Sequence, residues 1–345
     1  MKFGLFGGGK IGRMNPLGDS HSYKDFIEYI KNAEQLGFHG VFLVEHHFTG
    51  AGQLSASLNL LSYIAACTTR IRLGTAVVVL PWHNPVLLAE QVTTLDVLSG
   101  GRVDLGVGRG YRKNEFESFC IPMNEAQERY TECLELLLKS FTSKERFTHH
   151  GKRWHYKDII VEPAPVQQPH PPIWMAAGRP EGIAYVARSN YNLLLDQIGN
   201  VDETIERVRI YLDGLTAQGL PRDAGRVGVT RALHLVKNEA ERRKAYERRR
   251  ESLKNISELA RKPGGFSPQS FADADIAADD AALIGTPEEI VERLQRLAAG
   301  GVEYVLLTNA SATYESLATF AEKIMPYVDA TPAPVKPMRA VAAQG

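Results

Sequence analysis

Gly40-Val41-Phe42-Leu43-Val44-Glu45-His46-His47-Phe48 is the stretch from which the fold is read. Val41–Val44 is a short, wholly apolar run, as expected of a buried strand, and the Phe38-His39-Gly40 turn before it closes a helix. Directly after it stand an acid and two imidazoles, Glu45, His46 and His47, and then the glycine-marked loop Gly50-Ala51-Gly52. Parallel α/β folds place their chemistry where a strand ends. This stretch is therefore expected to floor an active site.

Working outward, apolar runs and helical periodicity alternate along most of the chain. Strands are expected at 2–6, 41–44, 71–80, 103–107, 173–177, 192–195, 226–236 and 304–307. Helices are expected at 22–36, 57–66, 85–98, 124–141, 180–188, 201–217, 239–260, 286–299 and 313–328. Eight strands alternating with helices predict an α/β fold, a (β/α)8 TIM barrel with insertions, spanning residues 1–329 as one domain. A doubly wound sheet is the alternative. Residues 147–165 alternate and are polar, predicting a hairpin insertion, and 262–280 read as a second insertion and candidate lid. Residues 330–345 form a Pro/Ala-rich C-terminal tail without periodicity.

The 345-residue chain has 44% hydrophobic and 23% charged residues, enough apolar content for a large core. Lys+Arg and Asp+Glu each total 40, which points away from a nucleic-acid or membrane partner. Cys67, Cys120 and Cys133 form no CxxC pair, as expected in a reducing cytoplasm. Neither a signal peptide nor a membrane span is evident, so a soluble cytoplasmic protein is expected.

Gly7-Gly8-Gly9-Lys10-Ile11-Gly12 spells GxGxxG, but Arg13-Met14-Asn15-Pro16 follows where a dinucleotide fold needs a helix to open. A built-in NAD(P)H site is not expected. His46 and His47 lack the spacing of a metal site, and a single imidazole titrating near neutrality is the better reading. Gly106-Val107-Gly108-Arg109-Gly110-Tyr111 is either a tight turn with a surface arginine or a close backbone approach to a phosphate. Ala176-Ala177-Gly178-Arg179-Pro180 starts a helix whose free N–H groups suit an anion, so the pair favours a phosphorylated ligand. The charged run 239–254 reads as a solvated helix outside the barrel.

Taken together, the sequence resembles the bacterial luciferase family of flavin-dependent monooxygenases, and most of all the catalytic alkanal monooxygenase chain. The resemblance rests on Glu45-His46-His47-Phe48, Gly74-Thr75-Ala76, Pro85 with Glu90 and Leu95-Asp96, Ser99-Gly100-Gly101-Arg102, Arg109-Gly110 and Gly285-Thr286-Pro287-Glu288. It implies reduced FMN and O2 as substrates, a separate flavin reductase as partner, and oxygenation of an aldehyde, ketone or similar small molecule through a flavin-peroxide intermediate. It implies a cis peptide at Ala76-Val77, with Thr75, Ala76 and Val77 beneath the isoalloxazine. It implies FMN phosphate at Arg109, Gly110, Tyr111, Ala177, Gly178 and Arg179, catalytic roles for His46 and Glu45, no metal, and a homodimer. Gly108 stands where luciferase has a reactive cysteine, so light emission is not implied. The other readings are a dehydrogenase of the same superfamily using a deazaflavin coenzyme, and a non-catalytic flavin-binding or heterodimer subunit.

Overall fold

A computed structural model describes residues 1–8, 19–50, 53–222, 226–261, 281–309 and 313–329. Its strands are β1 Lys2–Gly7, β2 Gly40–Leu43, β3 Arg72–Thr75, β4 Val78–Val79, β5 Val103–Gly108, β6 Phe147–His150, β7 His155–Ile159, β8 Ile173–Ala176, β9 Asn192–Leu195, β10 Val227–Leu235, β11 Leu283–Gly285 and β12 Tyr304–Asn309. Parallel pairing runs β10-β12-β1-β2-β3-β5-β8-β9 and returns from β9 to β10. The register carries Phe3 to Val305, Leu5 to Val41, Val41 to Leu73, Leu73 to Val103, Leu105 to Ile173, Met175 to Leu193, and Leu193 to Val227. The sheet therefore closes into an eight-stranded barrel, and the open doubly wound alternative is excluded.

The apolar runs are continuous because each strand is buried on both faces. The outward face packs Leu5, Val41, Leu43, Leu73, Leu105 and Leu193 against the surrounding helices. Inside, Phe42, Trp174, Leu194, Tyr304 and Leu306 fill the barrel, with Phe42 edge-on to Trp174 at 5.7 Å and to Tyr304 at 5.8 Å. Gly74 leaves room for the Phe42 ring, which would lie 2.5 Å from a side-chain carbon there.

Local sequence fixes where the helices start. Asn84 accepts the Val86 and Leu87 amides ahead of helix Pro85–Ser99, and Asn200 and Thr286 form capping boxes with Glu203 and Glu289. At the end where strands enter, the Arg102 guanidinium binds the carbonyls of Ala65, Thr68, Ile71 and Ser99, tying together the ends of two helices and a loop. Arg72 pairs with Asp104 at 2.6 Å within the barrel wall, and Trp174 donates to the same carboxylate at 3.2 Å.

The structure departs from the sequence reading in several places. The strand expected at 71–80 is two, β3 and β4, separated by a cis Ala76-Val77 peptide and followed by a short 3-10 turn, Leu80–Trp82. Helix Lys113–Ser118 and strand β11, which pairs with β10, were not anticipated. The last helix breaks at Ile324 into Tyr314–Lys323 and Met325–Val328, because Pro326 has no amide hydrogen to carry the ladder on. The hairpin within 147–165 is present as β6 and β7. The 262–280 insertion, the tail from 330 and most of the GxGxxG run lie outside the described residues.

Candidate active site

Four neighbouring strands, β2, β3 with β4, β5 and β8, deliver the candidate residues to one arc of the barrel rim. β2 ends into Glu45, His46 and His47; the Ala76-Val77 link lies between β3 and β4; Arg109–Tyr111 follows β5; Ala177–Arg179 follows β8.

Glu45 is 4% exposed and is shared by three donors. Its Oε1 lies 3.0 Å from His47 Nε2 and 2.8 Å from His83 Nε2, while Oε2 accepts the Val79 amide at 2.7 Å. Burial alone would raise this carboxyl, but the hydrogen bonds from His47, His83 and Val79 outweigh it and hold it at about 2. An anion there sets both imidazoles with Nε2–H toward it and anchors β4 to the end of β2.

His46 turns the other way. Its Nδ1 lies 3.2 Å from Glu115 Oε1, the same oxygen that accepts the His47 amide at 2.8 Å. Burial lowers the His46 imidazole below its ordinary value; the Glu115 hydrogen bond opposes that and the Arg112 guanidinium adds to it. A neutral ring donating from Nδ1 to a carboxylate keeps its Nε2 lone pair for a proton. Arg112, itself buried, stands 3.8 Å from Glu115 and donates to Gln53 at 2.7 Å. Trp82, Phe119 and His47 form an aromatic wall beside this pair, with ring centroids 4.9 to 5.4 Å apart.

Thr75 faces the barrel wall rather than the rim: its hydroxyl donates to the Gly106 carbonyl at 2.7 Å and accepts the Gly106 amide at 2.9 Å. Ala76 and Val77 are half-buried. Gly108 packs so closely on Val77 that a side-chain carbon would collide with it. Gly110 has φ of 78°, a left-handed conformation natural to glycine, and a side-chain carbon there would lie 2.7 Å from Val79. Arg109 is exposed and meets only Gln127, at 3.4 Å, among the described residues. Arg179 caps helix Pro180–Arg188 without a side-chain hydrogen bond, leaving the first amides of that helix open. An exposed guanidinium and an uncapped helix start, following two adjacent strands, fit a phosphate.

The sequence reading missed Glu115, Arg112 and His83. Glu115 reaches His46 and His47 across 69 and 68 positions, His83 reaches Glu45 across 38, and Arg112 reaches Gln53 across 59, separations that no local spacing reveals. Among the described residues no group of three His, Cys, Asp or Glu could hold a metal, and no helix is long and apolar enough to cross a membrane.

A closed parallel barrel with its ionisable residues gathered at the carboxyl ends of the strands has the form of a TIM-barrel enzyme. The chain belongs to the luciferase-like monooxygenase family, whose model matches residues 1–304. It is 35% identical over 186 residues to an uncharacterized protein, y4vJ, of Sinorhizobium fredii, covering 54% of this chain and 53% of that one; it thus spans about half the length of this curated relative. It is 27% identical over 330 residues to the oxygenase component of flavin-dependent trigonelline monooxygenase of Acinetobacter baylyi, covering 88% and 89% of the two chains. The monooxygenase RslO1 from Streptomyces bottropensis superposes with a TM-score of 0.78 at 26% identity, over 94% of this chain and 99% of that one.

Proposed function

We propose that this protein is the oxygenase component of a two-component monooxygenase that takes reduced FMN from a separate reductase and, with O2, oxygenates a small organic substrate. The observation that carries this reading is the single arc of strand ends: a proton-accepting His46, a half-buried Ala76-Val77 floor and a phosphate-ready pair of loops on four adjacent strands. The match to a protein named as the oxygenase component of a flavin-dependent monooxygenase supports it.

Reduced FMN, when bound, supplies the two electrons that activate O2. Arg109 and the open amides of helix Pro180–Arg188 would hold its phosphate, and Ala76-Val77 would bear the ring. His46 Nε2 takes or returns a proton beside the reacting atoms, with Glu115 fixing the tautomer. Glu45 acts one layer back, orienting His47 and His83. The Trp82–Phe119 wall keeps water from that side. Exposed Tyr63, Leu87, Val97 and Leu98 on helices Ser57–Cys67 and Pro85–Ser99 would pair two copies into a homodimer.

The test is anaerobic titration with photoreduced FMN, followed by oxygenated buffer. The wild type is expected to bind; Arg109→Ala to bind about tenfold or more weakly, as loss of a charge-assisted bond implies; and His46→Ala to bind but lose oxygenation. Absence of FMN binding, with binding of a deazaflavin coenzyme instead, would overturn the proposal.

A further inference from the structure

Helix Glu239–Arg261 is not a simple solvated helix. Ala245, Arg249 and Leu253, spaced by four, are buried along one face, and Ala245 packs with Ala232, Val236, Ala282 and Ile284. Arg249 is 3% exposed. Among the described residues its guanidinium reaches Gln197 alone, Nη1 to the side-chain oxygen at 2.9 Å and Nη2 to the carbonyl at 3.1 Å, and its Nε has no partner. Among the described residues no carboxylate pairs with it. Neighbouring Asp196 is committed elsewhere, to Arg207 at 3.2 Å and to the Ile198 and Gly199 amides.

His234 joins this site from β10. A side-chain carbon on Gly228 would lie 3.1 Å from Trp174, so that face of β10 looks into the barrel. His234 follows six positions on, on the same face of the strand and at its carboxyl end. It is 5% exposed, and among the described residues its Nε2 has no partner. Burial and the charges of Arg249 and Arg248 push its imidazole down to about 4, and burial pulls Arg249 down to about 10. A desolvated guanidinium facing a neutral amide, beside an imidazole whose Nε2 is unsatisfied, is costly, and a bound anion removes the cost.

We propose that Arg249, His234 and Gln197 form a receptor for the carboxylate of the substrate, which makes the substrate an organic acid. This rests on the oxygenase reading. The receptor adjoins the loop after β9, one strand beyond β8, where the FMN phosphate is placed. The anion could also be that phosphate, and the experiment separates the two.

Calorimetric titrations of the whole protein, without flavin and with reduced FMN under anaerobic conditions, would use benzoate and hexanoate against benzamide and hexanamide. The expected result is a preference of tenfold or more for the acids in the wild type. Arg249→Gln loses this preference and Arg249→Lys keeps part of it, with FMN affinity unchanged in both. A thermal melt with benzoate gives a second readout, since the upward shift should occur in the wild type and vanish in Arg249→Met. Equal binding of acids and amides, or an Arg249→Gln variant that loses FMN rather than the acids, would overturn the receptor. Acid preference without any FMN binding would support the receptor and overturn the oxygenase reading.

Discussion

Replacing Glu45 by glutamine tests the electrostatic design of the site. In the folded chain this carboxyl sits at about 2, against 4.5 for a free glutamate. A difference of that size corresponds to about 3 kcal/mol of stability at neutral pH, at roughly 1.4 kcal/mol per unit. Because the folded value is depressed, that stability is present above pH 4.5 and fades as pH falls toward 2. Glutamine also cannot serve all three donors: with its oxygen toward His47 and His83, its amino group faces the Val79 amide, donor against donor. A buried unpaired amide of this kind costs about 1–3 kcal/mol. The variant is therefore expected to unfold in urea about 3 kcal/mol more easily at pH 7, with the gap to wild type about 1 kcal/mol smaller at pH 4. A gap under about 1 kcal/mol at pH 7, or one independent of pH, would refute the assignment of Glu45 as a buried anion.

Glu115→Gln removes the group that raises His46, so the imidazole should titrate still lower; proton NMR of the ring resonances reads the direction. Gly106→Ala drives a side-chain carbon into the Thr75 carbonyl, and a loss of at least about 2 kcal/mol is expected, seen as a lowered melting temperature. Leu98→Glu, at a residue 67% exposed, should leave the melting temperature unchanged and shift sedimentation from dimer to monomer. An unmoved sedimentation coefficient would place any interface elsewhere.

The barrel was legible because its strands are buried on both faces, which leaves unbroken runs such as Val41–Val44 and Leu193–Leu195 between helical periods. The candidate site was half legible. Glu45, His46 and Arg109 sit directly at strand ends, where position alone points to chemistry. Glu115 did not show, because its short helix buries only itself and Phe116, too little for a periodic signal. Arg249 was hidden by composition, for a run as charged as 239–254 reads as solvated on every face. The spacing Ala245, Arg249, Leu253 was the available clue, since it repeats every four residues and holds two apolar side chains.

Arg102 lies at the opposite end of the barrel from every residue given a chemical role. Its guanidinium serves four backbone carbonyls in a planar fan that lysine's single point charge cannot reproduce. Damage there would be expected to change how many molecules survive in the cell while each survivor turns over at the normal rate. Stability can thus be lost at that end without touching a reacting group, and the reacting end can accept new substrates so long as the anchored end keeps the chain folded.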